Sequence, residues 1–228
     1  MFEKIFAYCE RGQNPAFWAE PLNAITNAAF IIAAVWCTRM WLRAPAGKQG
    51  VFEAFLIALL YAMGIGSFLF HTFAEPWAAI ADTVPIGIFM VSYLAYALRR
   101  YIGLGWITIF VALVLFFISL WQTSVVRCNG GPCFNGSLAY SPALIALAAI
   151  GGWLIFKRHA AGWSVFGAGL IFMLSLPART LDRDICPETA LIGTHFLWHI
   201  FNGALLFVLV RAALLYGGRE GQVGTTIP

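Results

Sequence analysis

Long apolar stretches, cut at intervals by short clusters of charge, proline and glycine, set the pattern of this chain. Seven of them can be marked, at about residues 24–42, 51–71, 77–98, 104–123, 138–156, 163–176 and 190–215. Several reach the roughly 20 residues that a helix needs to cross the hydrocarbon layer. The sixth is the shortest: it carries glycines and is expected to end at Pro177, because proline removes a backbone donor and clashes inside a helix. The fold class expected is therefore all-α, a polytopic integral membrane protein with seven transmembrane helices. No linker, low-complexity stretch or internal repeat divides residues 1–228, so the chain reads as a single domain. Residues 1–23 lack the uninterrupted apolar core of a signal peptide. They are expected to lie at the interface, with Phe2, Ile5 and Phe6 on one face of a short helix.

Composition sharpens this picture. Of 228 residues, 61% are hydrophobic and only 11% charged, whereas a soluble domain carries about a quarter charged residues. An apolar soluble core is excluded by the length of the runs. The net charge of +4 is modest and offers nothing to nucleic acid. Its distribution is more informative. Arg39, Arg43, Lys48, Arg99, Arg100, Lys157, Arg158, Arg211 and Arg219 fall at one side of the predicted spans. Lys4, Arg11, Arg127, Arg179 and Arg183 fall at the other, among Glu3, Glu10, Glu20, Glu75, Asp182, Asp184 and Glu188. The bias of basic residues in short loops places the C-terminus in the cytoplasm and the N-terminus outside. That assignment puts Cys9, Cys128, Cys133 and Cys186 on the outer side, where disulfides persist. Cys128 and Cys133 are close enough in sequence to close a local loop around Gly130-Gly131-Pro132, if geometry permits it.

The candidate chemistry gathers on that same side. Ser67 and His71 stand four residues apart, on one face of the second span. Glu75-Pro76 ends that helix and starts the next, since proline fits a first turn. Asp82 follows about two turns later, at the depth of Ser67 if the two helices are antiparallel. His195 and His199 form a second pair spaced by four, at the outer start of the last span. Ionisable groups at one depth in a membrane are costly and mark function. Three imidazoles with a position left open are the pattern of catalytic zinc, and no cysteine or methionine joins the set to favour another metal. The fourth histidine, His159, follows Lys157-Arg158 and is expected in solvent. Asp82 can serve as a general base, orient an imidazole or bind the metal itself. Ser67 can donate to a reacting oxygen or bond back to its own helix. The residues alone leave these alternatives open.

Together these residues resemble the alkaline ceramidase family, seven-span zinc amidases within a superfamily that includes adiponectin-receptor-like proteins. The likeness rests on S-x-x-x-H at Ser67 and His71, D-x-x-P from Asp82 to Pro85, and H-x-x-W-H at His195, Trp198 and His199. It also rests on E-x-x-N-x-x-T-N at Glu20, Asn23, Thr26 and Asn27, where the first span begins. The resemblance implies zinc on His71, His195 and His199, with Asp82 and Ser67 catalytic. It implies a disulfide between Cys9 and Cys186. It further implies a calcium site in the N-terminal segment, for which Glu10, Glu20 and Asn23 are the candidates, although Ala7 and Gly12 stand where the family has acidic or amide side chains.

The expected function is hydrolysis of the amide of ceramide, or of a related N-acyl lipid taken from the bilayer, to a fatty acid and a sphingoid base. A receptor-like protein with structural zinc is the rival. A transporter with an intramembrane proton relay is disfavoured, because the paired broken helices that such folds carry are absent. The compact loops point to a bacterial inner membrane with the site on the periplasmic side, the lumen of the endoplasmic reticulum or Golgi being the alternative.

Overall fold

In the computed structural model, residues 3–45, 49–128 and 131–217 are described; Phe2, Lys48, Gly130 and Arg219, invoked above, lie outside them. The first apolar run forms two helices, α1 (Pro21–Thr26) and α2 (Ala28–Arg43), joined at Asn27. Helices α3 (Val51–Phe73) and α4 (Pro76–Tyr96) form a tight hairpin. Ala74 closes α3 in the left-handed conformation, and Pro76 opens α4 in its first turn. A π-helical turn, Ala97–Ile102, carries Arg99 and Arg100 and ends at Gly103. After α5 (Trp106–Val125) a two-residue ribbon pairs β1 (Arg127–Cys128) with β2 (Gly131–Pro132), and the Cys128–Cys133 disulfide closes it. A 3-10 stretch, Cys133–Tyr140, leads into α6 (Ser141–Phe156), α7 (Gly162–Thr180) and α8 (His195–Tyr216).

Six helical segments among the described residues are long and apolar enough to cross a membrane: Pro21–Arg43, Val51–Phe73, Pro76–Ile102, Trp106–Val125, Cys133–Phe156 and His195–Tyr216. The sixth predicted span is not one of them. It forms α7 all the same, and this helix runs through Pro177 to Thr180 rather than ending before it. The proline removes one bond but not the helix, because Leu181 N–H donates to the Pro177 carbonyl and Asn135 and Arg179 exchange two hydrogen bonds across to the last turn.

Helix α3 and helix α8 are the most enclosed of the spans and α5 the least. Leu56, Leu60, Met63, Phe89, Val165 and Val210 are buried in the shared core. On α5, Ile107, Phe110, Leu115 and Phe117 are all more than half exposed. In water that face would be a large apolar patch; in a bilayer it meets acyl chains.

Two expectations are corrected. Described residues 3–7 form no interfacial helix. They are drawn out along the α3–α4 turn, with Ile5 N–H on the Ala74 carbonyl at 2.7 Å and Lys4 bonded to the Phe73 carbonyl and to Glu75. Tertiary hydrogen bonds replace the local ones. His159 is not in open solvent but half-buried against Tyr101, its Nδ1 accepting from Ala161 N–H. Burial pushes its imidazole below the usual histidine range.

Candidate metal centre

Two helices bring the predicted ligands together. In α3 and α8 the four-residue spacings stack Ser67 under His71 and His195 beside His199 on successive turns. One ring nitrogen from each of His71, His195 and His199 lies within 4.8 Å of the others. All three residues are at most 2% exposed.

Their orientation is set by neighbours on the ring's other side. His71 Nδ1 is bonded to the Glu20 carboxylate, which, as an acceptor, fixes the proton on that nitrogen. Thr26 Oγ1 already donates to the Leu22 or Asn23 carbonyl and lies 2.9 Å from His199 Nδ1. The threonine therefore accepts, and His199 Nδ1 also carries its proton. What remains is Nε2 of His71, Nε2 of His199 and Nδ1 of His195, all buried and without a hydrogen-bond partner. Unpaired buried polar atoms are costly. Three converging imidazole nitrogens in this state, two backed by oxygen acceptors, fit a metal ion that prefers nitrogen donors.

Asp82 and Ser67 meet through a glycine. A Cβ on Gly66 would lie 2.0 Å from the Ala81 carbonyl oxygen, so only glycine lets α3 and α4 approach this closely. The result is that Ser67 and Asp82 face the same region from the two helices, with His71 and Arg179 in electrostatic range of Asp82.

Several residues here carry no signature in the sequence. Asp182 is fully buried and accepts from the N–H groups of Thr194 and His195, capping α8, and from Cys9 N–H. Gly193, at φ 73°, makes room for it: a Cβ there would meet Asp182 Oδ1 at 2.2 Å. The Cys9–Cys186 disulfide fastens the N-terminal segment at the same point. Tyr8 is thereby laid over the centre, its ring stacked on His195 at 3.7 Å between centroids and 5.1 Å from His71. Burial keeps its hydroxyl protonated far above the usual tyrosine range.

The calcium candidates lie near one another but are largely engaged. Glu10 accepts from Leu22 N–H at 2.7 Å and Asn23 N–H at 2.9 Å, one on each oxygen. Desolvation nevertheless raises its carboxyl above the ordinary value, outweighing those two bonds. Glu20 receives Arg11 Nε on one oxygen and His71 Nδ1 with Asn23 Nδ2 on the other. Burial alone would raise the Glu20 carboxyl, but His71 and Arg11 together hold it below the usual range. Asn23 Oδ1 is buried and unpartnered.

An apolar cavity opens alongside, with about 810 Å³ of space including its mouth. Its wall includes Trp198 and Asn202, which flank His199 on α8, and Phe30, whose ring packs edge-on to His199. It extends past Met63, Phe89 and Leu209.

Six long apolar helices, with a buried three-histidine group able to hold a metal ion beside an apolar cavity, define the class as a multi-pass membrane protein with a candidate metal centre. The chain belongs to the ceramidase family, whose profile matches residues 6–222. That family supports a hydrolase acting on amides. No curated protein and no solved structure matches the chain significantly.

Proposed function

We propose that this chain is a zinc-dependent amidohydrolase that cleaves ceramide or a related N-acyl lipid into a fatty acid and a sphingoid base. The observation that carries the proposal is the set of three buried, unpartnered imidazole nitrogens converging within 4.8 Å, next to a cavity whose wall is almost wholly apolar. A donor set of nitrogen alone, with no thiolate, suits zinc. When bound by His71, His195 and His199, the ion supplies a Lewis acid that polarises an amide carbonyl and acidifies water.

The chain's own groups do the rest. Asp82 accepts a proton from the attacking water and returns it to the leaving amine nitrogen as the C–N bond breaks. Ser67, beside it, donates to the carbonyl oxygen as negative charge grows there. The cavity takes the lipid chains from the bilayer and excludes water. All four disulfide cysteines lie at the metal-centre end of the bundle, which supports an oxidising outer side, the N-terminus outside, and α7 as a seventh span shielded by α6 and α8. On this reading the protein sits in a bacterial inner membrane with its site toward the periplasm.

The test is release of fatty acid from a short fluorescent ceramide by purified, zinc-loaded protein. Asp82→Asn should retain zinc and lose about 10²–10⁴-fold in rate. Ser67→Ala should retain zinc and lose roughly 10²–10³-fold. Full activity in Asp82→Asn would remove the base, and a parent inert on every N-acyl lipid would leave a receptor-like protein instead.

A further inference from the structure

Arg11 is the most completely engaged side chain in the molecule's N-terminal segment. It is 2% exposed, and all five of its guanidinium hydrogens are spent. Nε donates to the Glu20 carboxylate. Nη1 donates to the carbonyls of Asn14 at 3.2 Å and Ala16 at 2.9 Å, and Nη2 to those of His71 at 2.9 Å and Thr72 at 3.3 Å. A guanidinium has five N–H donors in a fixed planar fork, so each bond dictates where its acceptor sits.

Those acceptors belong to three different parts of the chain. Asn14 and Ala16 are in the N-terminal segment, Glu20 precedes α1, and His71 and Thr72 form the last turn of α3. His71 is therefore gripped at two places. Its backbone carbonyl is bonded directly to Arg11, and its imidazole is bonded to the carboxylate that Arg11 holds. Rotation of that ring away from the centre would break the Glu20 bond, and sliding of the α3 terminus would break the carbonyl bonds.

We propose that Arg11 is the built-in cation of the N-terminal segment: it positions His71 for the metal, and the segment does not depend on calcium. The first half rests on the metal site proposed above. The second rests on where the oxygens point. Calcium takes six or more oxygen ligands. Of the oxygens here, both of Glu10 and both of Glu20 accept hydrogen bonds, and the carbonyls of Asn14, Ala16, His71 and Thr72 face the guanidinium. Asn23 Oδ1 and, one turn on, Asn27 Oδ1 are unspent, and two amide oxygens do not make a calcium site. A monovalent cation on a covalent tether has taken over the work of gathering carboxylate and carbonyls.

The experiment measures zinc affinity of the full-length protein in lipid nanodiscs, by competition with a chromogenic chelator, either with millimolar calcium added or in buffer freed of calcium beforehand. The parent should bind zinc equally in both. Arg11→Ala should weaken zinc binding by about 10–100-fold, the usual cost of losing a group that orients a ligand, and Arg11→Lys should fall between the two. Glu20→Gln should match Arg11→Ala, and the double variant should be no weaker than either. Lys4→Ala, which removes another tie between this segment and the α3–α4 turn, should leave zinc affinity unchanged, separating positioning from simple anchoring. An intact Cys9–Cys186 bond on peptide mapping checks that each variant has folded. If Arg11→Ala fails that check, Arg11→Lys and Glu20→Gln carry the comparison. Undiminished zinc affinity in the Arg11 and Glu20 variants, additive losses in the double variant, or a parent whose zinc binding weakens in the calcium-free buffer would each overturn the proposal. A parent that binds no zinc overturns the metal site as well, whereas a parent that binds zinc indifferently to Arg11 overturns only this step.

Discussion

The two ends of the helical bundle each hold a buried carboxylate together with histidine and tyrosine side chains, yet at only one do the histidines converge. At one end, Glu20 lies between Arg11 and His71, and the histidine nitrogens it helps to aim converge on a point. At the opposite end, Glu53 accepts from the Tyr96 hydroxyl at 2.6 Å, the Ala213 carbonyl lies 3.1 Å from the same oxygen, and the Tyr93 hydroxyl donates to the Leu209 carbonyl. That end also has unpartnered atoms, Tyr101 Oη and His159 Nε2. His159 Nδ1, however, accepts a backbone N–H, so its Nε2 bears the proton and cannot bind a metal as it stands. Unsatisfied polar atoms do not by themselves make a site. Their protonation and their convergence do.

The widest expected gap between the two ends is in metal content. His71→Ala or His199→Ala should lose zinc altogether by elemental analysis, while His159→Ala should keep the parent's content. Equal zinc in all of them would erase the distinction. A second contrast uses glycine. Gly66→Ala drives a methyl into the Ala81 carbonyl, which is backbone and cannot swing aside. The resulting shift at Ser67 and Asp82 should cost on the order of 10²-fold in turnover. Gly50→Ala, at the other end, meets the end of the Glu53 side chain at 1.7 Å, which can rotate, and should cost little turnover in the same assay. The smallest effect belongs to Glu53→Gln. The amide oxygen can still accept from Tyr96, so stability in thermal unfolding should change by less than about 1 kcal/mol, with zinc unaltered. A loss of zinc there would mean the two ends are coupled.

What could be read from the sequence was whatever depends on local spacing. The paired positions Ser67/His71 and His195/His199, the break at Glu75-Pro76, and the apolar runs all follow from helical periodicity and length. Arg11, Asp182 and Tyr8 were illegible because their partners are remote. Arg11 reaches carbonyls 60 and 61 residues away and Asp182 a backbone N–H 173 residues away, and backbone acceptors have no identity in a sequence. Arg11 was counted only as a charge in a loop. The interfacial helix was misread for the same reason: apolar periodicity was present at Phe2, Ile5 and Phe6, but tertiary bonds to α3 and a disulfide outweighed a few local ones. Pro177 was given too much weight, since a proline near a helix end that is tied from outside loses only one bond.

The Cys9–Cys186 bond spans 177 residues, and that distance has a consequence for biogenesis. Cys9 is made long before its partner cysteine and both α8 histidines. Neither the covalent clasp nor the three-histidine group can exist until Cys186 and then α8 have been synthesised. On the proposed function, the nascent protein is therefore inert toward the bilayer that is receiving it until α8 is in place.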